Sequence, residues 1–235
     1  MQSTRSKANT AVLRMAVPAS ILALALTASL QAGTDSDDWP AWVDEQQQLA
    51  ARIDAVNEGA LVFLADRPVS GVHHHSGRVS ITPQSLQDGW VVLEQCHADL
   101  DQVTAAQIVF NPTRSRLLQV ISVRNIEQAF TEGNTIQLRG VSAHSEVCLR
   151  AESRALNVVD SGVFELQNGP FMRRFLDGYY PLKLSLQVDF PPTLELVDFQ
   201  PDAQPGFAVD DRPGRLTVET VFEGQLRTVF RFIEE

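Results

Sequence analysis

The sequence predicts a mostly β protein, with sandwich-like antiparallel sheets in one or two units and an N-terminal amphipathic helix. From residue 60 onward, short apolar or alternating runs are separated by Gly, Pro, Asn and Asp, which is the pattern of strands joined by turns. An earlier stretch instead repeats its apolar residues at helical spacing. Two cysteines, Cys96 and Cys148, add one expected covalent link.

Residues 1–32 have the features of a secretory signal peptide. Arg5, Lys7 and Arg14 precede an uncharged run over residues 15–30 that ends among small residues. This run is shorter than the roughly 20 residues of a membrane span, and acidic residues follow it directly. We therefore expect a periplasmic or secreted protein whose mature form has no membrane span.

Residues 33–59 contain the predicted helix, which we expect over 38–59. Pro40 lies in its first turn, where a missing N–H costs nothing, and Gly59 ends it. The apolar residues of this stretch fall on one helical face, which predicts that the helix docks on another part of the fold. They are Trp42, Leu49, Ile53 and Val56.

Two β-rich units follow in the prediction, over 60–155 and 156–235, with a linker at 154–160; one continuous sandwich is the alternative. In the first unit the patterns predict strands at 61–64, 71–82, 89–96, 107–111, 117–123, 135–141 and 146–153. In the second they predict strands at 163–166, 180–190, 194–199, 215–222 and 226–233. The last two strands are predicted to form a hairpin through Glu223 and Gly224.

Cys96 and Cys148 are predicted to form a disulfide bond, because both follow a signal for export to an oxidising compartment. Metal ligation and a redox role are the alternatives, although neither cysteine belongs to a C-x-x-C motif. A zinc site of reduced Cys96 and Cys148 with His97 and His144 is chemically reasonable. The same compartment disfavours it, since exported thiols usually oxidise.

The chain is acidic, with 19 Lys and Arg against 29 Asp and Glu and a formal net charge of −10. Loss of the cationic signal peptide would make it more acidic. Such a surface repels phosphate backbones, so we expect no nucleic-acid partner. It attracts metal ions, cationic ligands or basic protein surfaces, or simply keeps an exported protein soluble.

A cluster of histidines is the best candidate for a metal site. His73 and His75 would project from the same face of the strand predicted at 71–82, because side chains alternate with a period of two. His97 or His144 would supply a third ligand for copper or zinc. The alternative is a polar exposed strand, since no zinc or copper motif of known spacing is present.

The densest aromatic and cationic stretch is residues 167–181, which we predict to be a loop with one short helical turn. Arginines beside aromatic rings bind anionic or planar ligands, or they close the end of a sandwich. We favour the second role, with Phe175 buried and at least one guanidinium exposed. The candidate binding residues are Phe171, Arg173, Arg174, Tyr179 and Tyr180.

The sequence contains no recognised motif for nucleophilic catalysis, phosphate binding or zinc hydrolysis. The expected function is therefore an exported, non-catalytic binding or accessory protein of the cell envelope with an envelope protein as partner. One alternative is a periplasmic metal-handling protein that uses the histidine cluster. A further alternative is a hydrolase with an unrecognised site.

Overall fold

A computed structural model describes residues 57–65 and 71–234, which form a mostly β protein, as predicted. The signal peptide and the predicted helix up to residue 56 lie outside these residues. Within them, the one short helix is α1 (Ser85–Asp88), and no helix has the length and apolar composition needed to cross a membrane. The strands are β1 (Val62–Phe63), β2 (His74–Ser80), β3 (Trp90–Ala98), β4 (Val103–Val109), β5 (Ser115–Glu132), β6 (Thr135–Arg154), β7 (Leu156–Asp160), β8 (Val163–Phe171), β9 (Arg173–Phe175), β10 (Gly178–Tyr180), β11 (Leu182–Asp189), β12 (Leu194–Gln200), β13 (Val209–Arg212), β14 (Arg215–Glu223) and β15 (Leu226–Glu234).

The strands form one large sheet, one small sheet and a separate hairpin. The large sheet has the order β1-β14-β11-β2-β3-β6-β4, with β13 beside β14 and β5 beside β6. It is mixed, because β2 and β11 run parallel while their other neighbours run antiparallel. The small sheet has the order β12-β15-β8-β7, and β9 pairs with β10. Strands from both predicted units therefore pair within the large sheet.

The main hydrophobic core lies between the large and small sheets. Along β11 every second side chain is buried, as expected for a strand with one face toward the core. Leu184 from the large sheet and Leu166 and Phe230 from the small sheet are completely buried in one cluster. A second cluster surrounds Ile136 and Val147 of β6, where β4 and β5 flank that strand.

The predicted hairpin between the last two strands is wrong. β14 belongs to the large sheet and β15 to the small one, so the chain crosses the core after Gly224 instead of folding back on itself. Gly224 has a φ of +85°, and a Cβ at this position would lie 2.0 Å from the backbone oxygen of Ala60. The alternation of apolar and polar residues identifies the buried side of β14 and β15 correctly. It does not show which of two sheets sharing one core each strand joins.

The disulfide prediction is confirmed. Cys96 and Cys148 are bonded to each other and lie directly opposite on the antiparallel strands β3 and β6. Their Cα atoms are 4.0 Å apart, below the usual range of about 4.4–6.8 Å for disulfides. The short distance is close to the roughly 4.5 Å of a non-hydrogen-bonded antiparallel pair. Both sulfur atoms are thus unavailable as zinc ligands in this oxidised form.

Candidate functional site

Three of the four predicted metal ligands come together at one end of the core. His75 lies opposite His97 on the neighbouring strand, and their ring centroids are 4.5 Å apart. His73 projects from the same face as His75, and its Nε2 lies 3.1 Å from Nδ1 of His97. Phe171 covers the group with an edge-on contact to His75 at 5.2 Å between centroids. We call His73, His75 and His97 the histidine cluster.

The hydrogen bonds of the cluster fix the position of a proton. Nε2 of Gln95 lies 3.1 Å from Nε2 of His97, and an amide nitrogen only donates. Nε2 of His97 is therefore an acceptor, which places the proton of the neutral ring on Nδ1. That N–H donates to Nε2 of His73.

Burial keeps the histidine cluster neutral. Removal from water, followed by the positive charge of Arg173, lowers the pKa of His73 to about 4. Burial likewise lowers the pKa of His75 to about 3, with smaller effects from the neighbouring imidazoles. The pKa of His97 also lies well below its ordinary value, mainly because of burial. Neutral imidazoles keep a free electron pair, which metal binding requires.

His144 does not join the cluster. Its side chain is 84% exposed, and Nδ1 lies 3.6 Å from a carboxylate oxygen of Asp99. Within residues 57–65 and 71–234, no group of three or more His, Cys, Asp or Glu side chains has a geometry that could hold a metal ion. The copper or zinc site therefore stays a prediction, in which Nε2 of His73 and Nδ1 of His97 are 3.1 Å apart.

The aromatic segment is a strand hairpin, so the predicted loop with a helical turn is wrong. Arg173 of β9 donates to both carboxylate oxygens of Asp101, with 2.9 Å between Nε and Oδ2, and to the carbonyl oxygen of Pro181 at 3.2 Å. Tyr180 of β10 donates to Asp177 at 2.7 Å. These contacts join both strands of the hairpin and tie it to the segment between β3 and β4.

The other candidate binding residues lie around the same hairpin. Phe171 is half-buried and packs against the main core, in addition to its contact with His75. Tyr179 accepts a hydrogen bond from Gln225 at 2.9 Å. The guanidinium of Arg174 lies 5.5 Å from the centre of the Tyr179 ring and is exposed, so the prediction of at least one exposed arginine is confirmed.

The hairpin and the residue before it expose apolar side chains, and we call the two at the turn, Phe175 and Leu176, the apolar tip. Met172 and Phe175 are each 38% exposed, and Leu176 is fully exposed at the turn. The predicted burial of Phe175 is therefore wrong. Its ring rests edge-on against Tyr180, with 5.5 Å between centroids, and does not belong to either core cluster.

The outer face of the large sheet carries a groove that the sequence did not predict. Ser185 lies opposite Ser76, Ser76 opposite Cys96, and Cys96 opposite Cys148, so small side chains form a row across β11, β2, β3 and β6. These residues line a groove of about 500 Å³ that extends from β14 to Ile121 on β5. We call it the cross-strand groove.

Polar contacts compensate the charges beside the cross-strand groove. The Ser185 hydroxyl lies 2.8 Å from Nε2 of His74 and donates to Glu219 at 2.7 Å. Because Glu219 contacts the serine and not the imidazole, these three residues differ from a catalytic triad, in which the carboxylate orients the histidine. Arg78 pairs with Asp189 at 2.9 Å. On the neighbouring strands Arg150 pairs with Glu94 at 2.9 Å.

The comparisons with known proteins identify no family. No protein-family description matches the chain, and no curated protein matches it. Among solved structures, an M1 zinc metallopeptidase from Deinococcus radiodurans is 9% identical with a TM-score of 0.37, over 74% of this chain and 43% of that one. A mutant of that enzyme bound to a Tyr-Ser-Ala substrate is 9% identical with a TM-score of 0.36, over 68% and 42%. The chain thus spans less than half the length of these enzymes, and likeness at this level carries no argument about function.

Proposed function

We propose that this is an exported, non-catalytic binding or accessory protein of the cell envelope that docks a protein partner through the apolar tip. The observation that carries the proposal is the exposure of Phe175 and Leu176 at the turn of a hairpin whose strands are held by polar contacts. A braced structural element that presents apolar side chains to solvent is typical of an interface. The disulfide is compatible with an exported location.

The bracing of the hairpin favours binding because it limits the entropy lost on association. Arg173 is only 18% exposed in its side chain and is held by Asp101 on a different segment. An element fixed in this way has fewer conformations to lose when a partner binds. The hairpin is thus preorganised, and the apolar tip is presented in one arrangement.

The partner expected at this surface has an apolar pocket with a carboxylate at its rim for Arg174. Leu176 and Phe175 would enter the pocket, while the exposed guanidinium of Arg174 would face the rim. Aromatic and arginine side chains are enriched among the residues that dominate binding energies at protein interfaces. A charged rim mainly affects the association rate and its salt dependence.

Crosslinking and recovery of partners from an envelope extract test the proposal, followed by calorimetry with the partner that is identified. Leu176→Ser is expected to weaken binding more than tenfold, because it removes the most exposed apolar side chain of the tip. Leu117→Ser is the matched control, since Leu117 is also exposed, at 63%, but lies on β5. Both variants should melt at the parent temperature.

Two results would contradict the proposal. Equal partner affinity for Leu176→Ser and the parent would show that the tip is not the interface. A melting temperature several degrees lower for Leu176→Ser would show that the side chain supports the fold instead.

Metal handling by the histidine cluster is the second candidate function. It is favoured by one distance, the 3.1 Å between Nε2 of His73 and Nδ1 of His97, and metal binding there requires the His97 proton to move from Nδ1 to Nε2 of the same ring. Calorimetry with copper(II) and zinc should give a dissociation constant well below millimolar that is lost in His73→Ala with His97→Ala. His144→Ala is the control and should bind as the parent does. Millimolar or weaker binding by the parent would exclude a dedicated site.

A further inference from the structure

The cross-strand groove is a defined surface feature that takes no part in the proposed docking at the apolar tip. Its floor is a row of small side chains brought into register from four strands, and residues from six neighbouring strands, β14 to β5, line it. Strands in a sheet lie about 4.8 Å apart, so a span of six strands is roughly 24 Å long. The volume of about 500 Å³ is that of a small-molecule site, for which the usual range is about 300–1,000 Å³.

The charges along the groove indicate that its ligand is uncharged. Arg78 is paired with Asp189, and Glu94 is paired with Arg150. The carboxylate of Glu219 accepts a hydrogen bond from Ser185 and keeps its negative charge, which disfavours an anionic ligand. A charged ligand would have to compete with these pairs, whereas a neutral ligand can add hydrogen bonds to the remaining lone pairs of the same oxygens.

The backbone around the groove argues against an extended peptide. β2, β3 and β11 each have a partner on both sides, so their N–H and C=O groups are used within the sheet. A peptide binds most readily by adding a strand to a free edge, which these three strands do not offer. The ligand must therefore be recognised by side chains alone.

The available side chains are hydroxyls, carboxylates and amides beside apolar groups. Ser76 and Thr217 provide hydroxyls, and the Cys96–Cys148 disulfide and Ile121 provide an apolar surface. A sugar ring offers the complementary combination of hydroxyl groups at its edge and C–H groups on its faces. We infer that the cross-strand groove binds a neutral oligosaccharide that lies across the strands.

Titration of ¹⁵N-labelled protein with chitohexaose, cellohexaose and maltohexaose tests the inference by amide chemical shifts. At least one of these probes is expected to shift the amides of Gly77 and Gln187 and of neighbouring groove residues, with a dissociation constant of millimolar or below. Ser76→Phe fills the floor of the groove and should weaken binding at least tenfold. Ser80→Phe is the matched control, because Ser80 lies on the same face of β2 but outside the groove. It should bind as the parent does.

Glu219→Gln gives a second, milder test that does not change the shape of the groove. It replaces a carboxylate acceptor by an amide and is expected to weaken binding by a factor of about three to ten. The same spectra report whether each variant keeps its fold. The inference is overturned if none of the three probes binds with a millimolar constant. It is also overturned if Ser76→Phe binds as well as Ser80→Phe, or if the shifted amides lie outside the groove. The proposed docking at the apolar tip is unaffected by any of these outcomes.

Discussion

Acidification from pH 7.5 to pH 5.0 is expected to destabilise the folded protein strongly through the histidine cluster. His73 and His75 have pKa values near 4 and 3 in the folded state, against about 6.5 in an unfolded chain. Below pH 6.5 the unfolded state therefore binds protons that the folded state does not bind. The free energy of unfolding falls with pH through this window until the folded pKa is reached.

The size of the effect follows from these pKa values. A histidine that is charged in the unfolded chain and neutral in the folded protein contributes about 2 kcal/mol of destabilisation at pH 5. His73 and His75 together give about 4 kcal/mol, and His97, whose pKa is also lowered by burial, acts in the same direction. That is a large part of the roughly 5–15 kcal/mol by which a typical domain is stable. The charges of Asp101 and Asp99 raise the pKa of His73 and so oppose the effect of burial. Arg173 and His74 lower this pKa further.

Urea unfolding followed by tryptophan fluorescence at pH 7.5 and pH 5.0 measures this difference. The carboxylates titrate mostly below this window, so histidines dominate the change. His75→Leu should reduce the pH dependence by about 2 kcal/mol, because it removes one buried imidazole. Leu117→Ala is the control and should leave the pH dependence unchanged, since it removes an exposed side chain that does not titrate. A pH effect below about 1 kcal/mol in the parent, or an equal effect in His75→Leu, would refute the reasoning.

Three further expectations concern stability at neutral pH. Replacing Cys96 and Cys148 by Ser should cost about 4 kcal/mol in urea unfolding, because the bond closes a loop with a sequence separation of 52; a loss below about 1 kcal/mol would contradict this. Gly224→Ala should lower the melting temperature sharply, because the new Cβ would collide with the backbone of Ala60. An unchanged melting temperature would contradict the path of the chain between β14 and β15. Leu184→Ala should cost about 2–5 kcal/mol because that side chain is fully buried, whereas Leu117→Ala should change the free energy of unfolding by less than about 0.5 kcal/mol; equal effects would disprove the core assignment.

The sequence predicts the β class because strand patterns are local. Every second side chain of β11 is apolar, so its buried face can be assigned without knowledge of its neighbours. The sheet that each strand joins depends on contacts between distant residues. For that reason the sequence predicts two strands, at 135–141 and 146–153, where the structure has the single strand β6, and it predicts a linker at 154–160, where residues 156–160 form β7.

For the candidate sites too, the sequence predicts what depends on local patterns and not what depends on contacts between distant residues. Period-two alternation predicts that His73 and His75 share a face, but only the register of β2 and β3 brings His97 to them. The cross-strand groove had only a weak signal in the sequence. Alternation places Ser185 on the outer face of β11, yet its position opposite Ser76 depends on a pairing between segments that are far apart in the chain. The burial of Phe175 is not predictable from the sequence, because an aromatic residue in a turn-rich segment gives no periodic signal for burial.

The parallel pair at the centre of the large sheet determines when this protein can complete its fold. The side chains of His74 on β2 and Ser185 on β11 touch across a sequence separation of 111 residues. Because the chain is synthesised from its N-terminus, β2, β3 and β6 can pair and the Cys96–Cys148 bond can form well before β11 is available. The edge of β2 that β11 will occupy stays open during that interval. Such an edge can pair with another chain, and sheets that depend on distant segments form slowly. Newly made molecules would thus be most prone to aggregation before their last third is in place, and a chaperone that covers this edge would protect them.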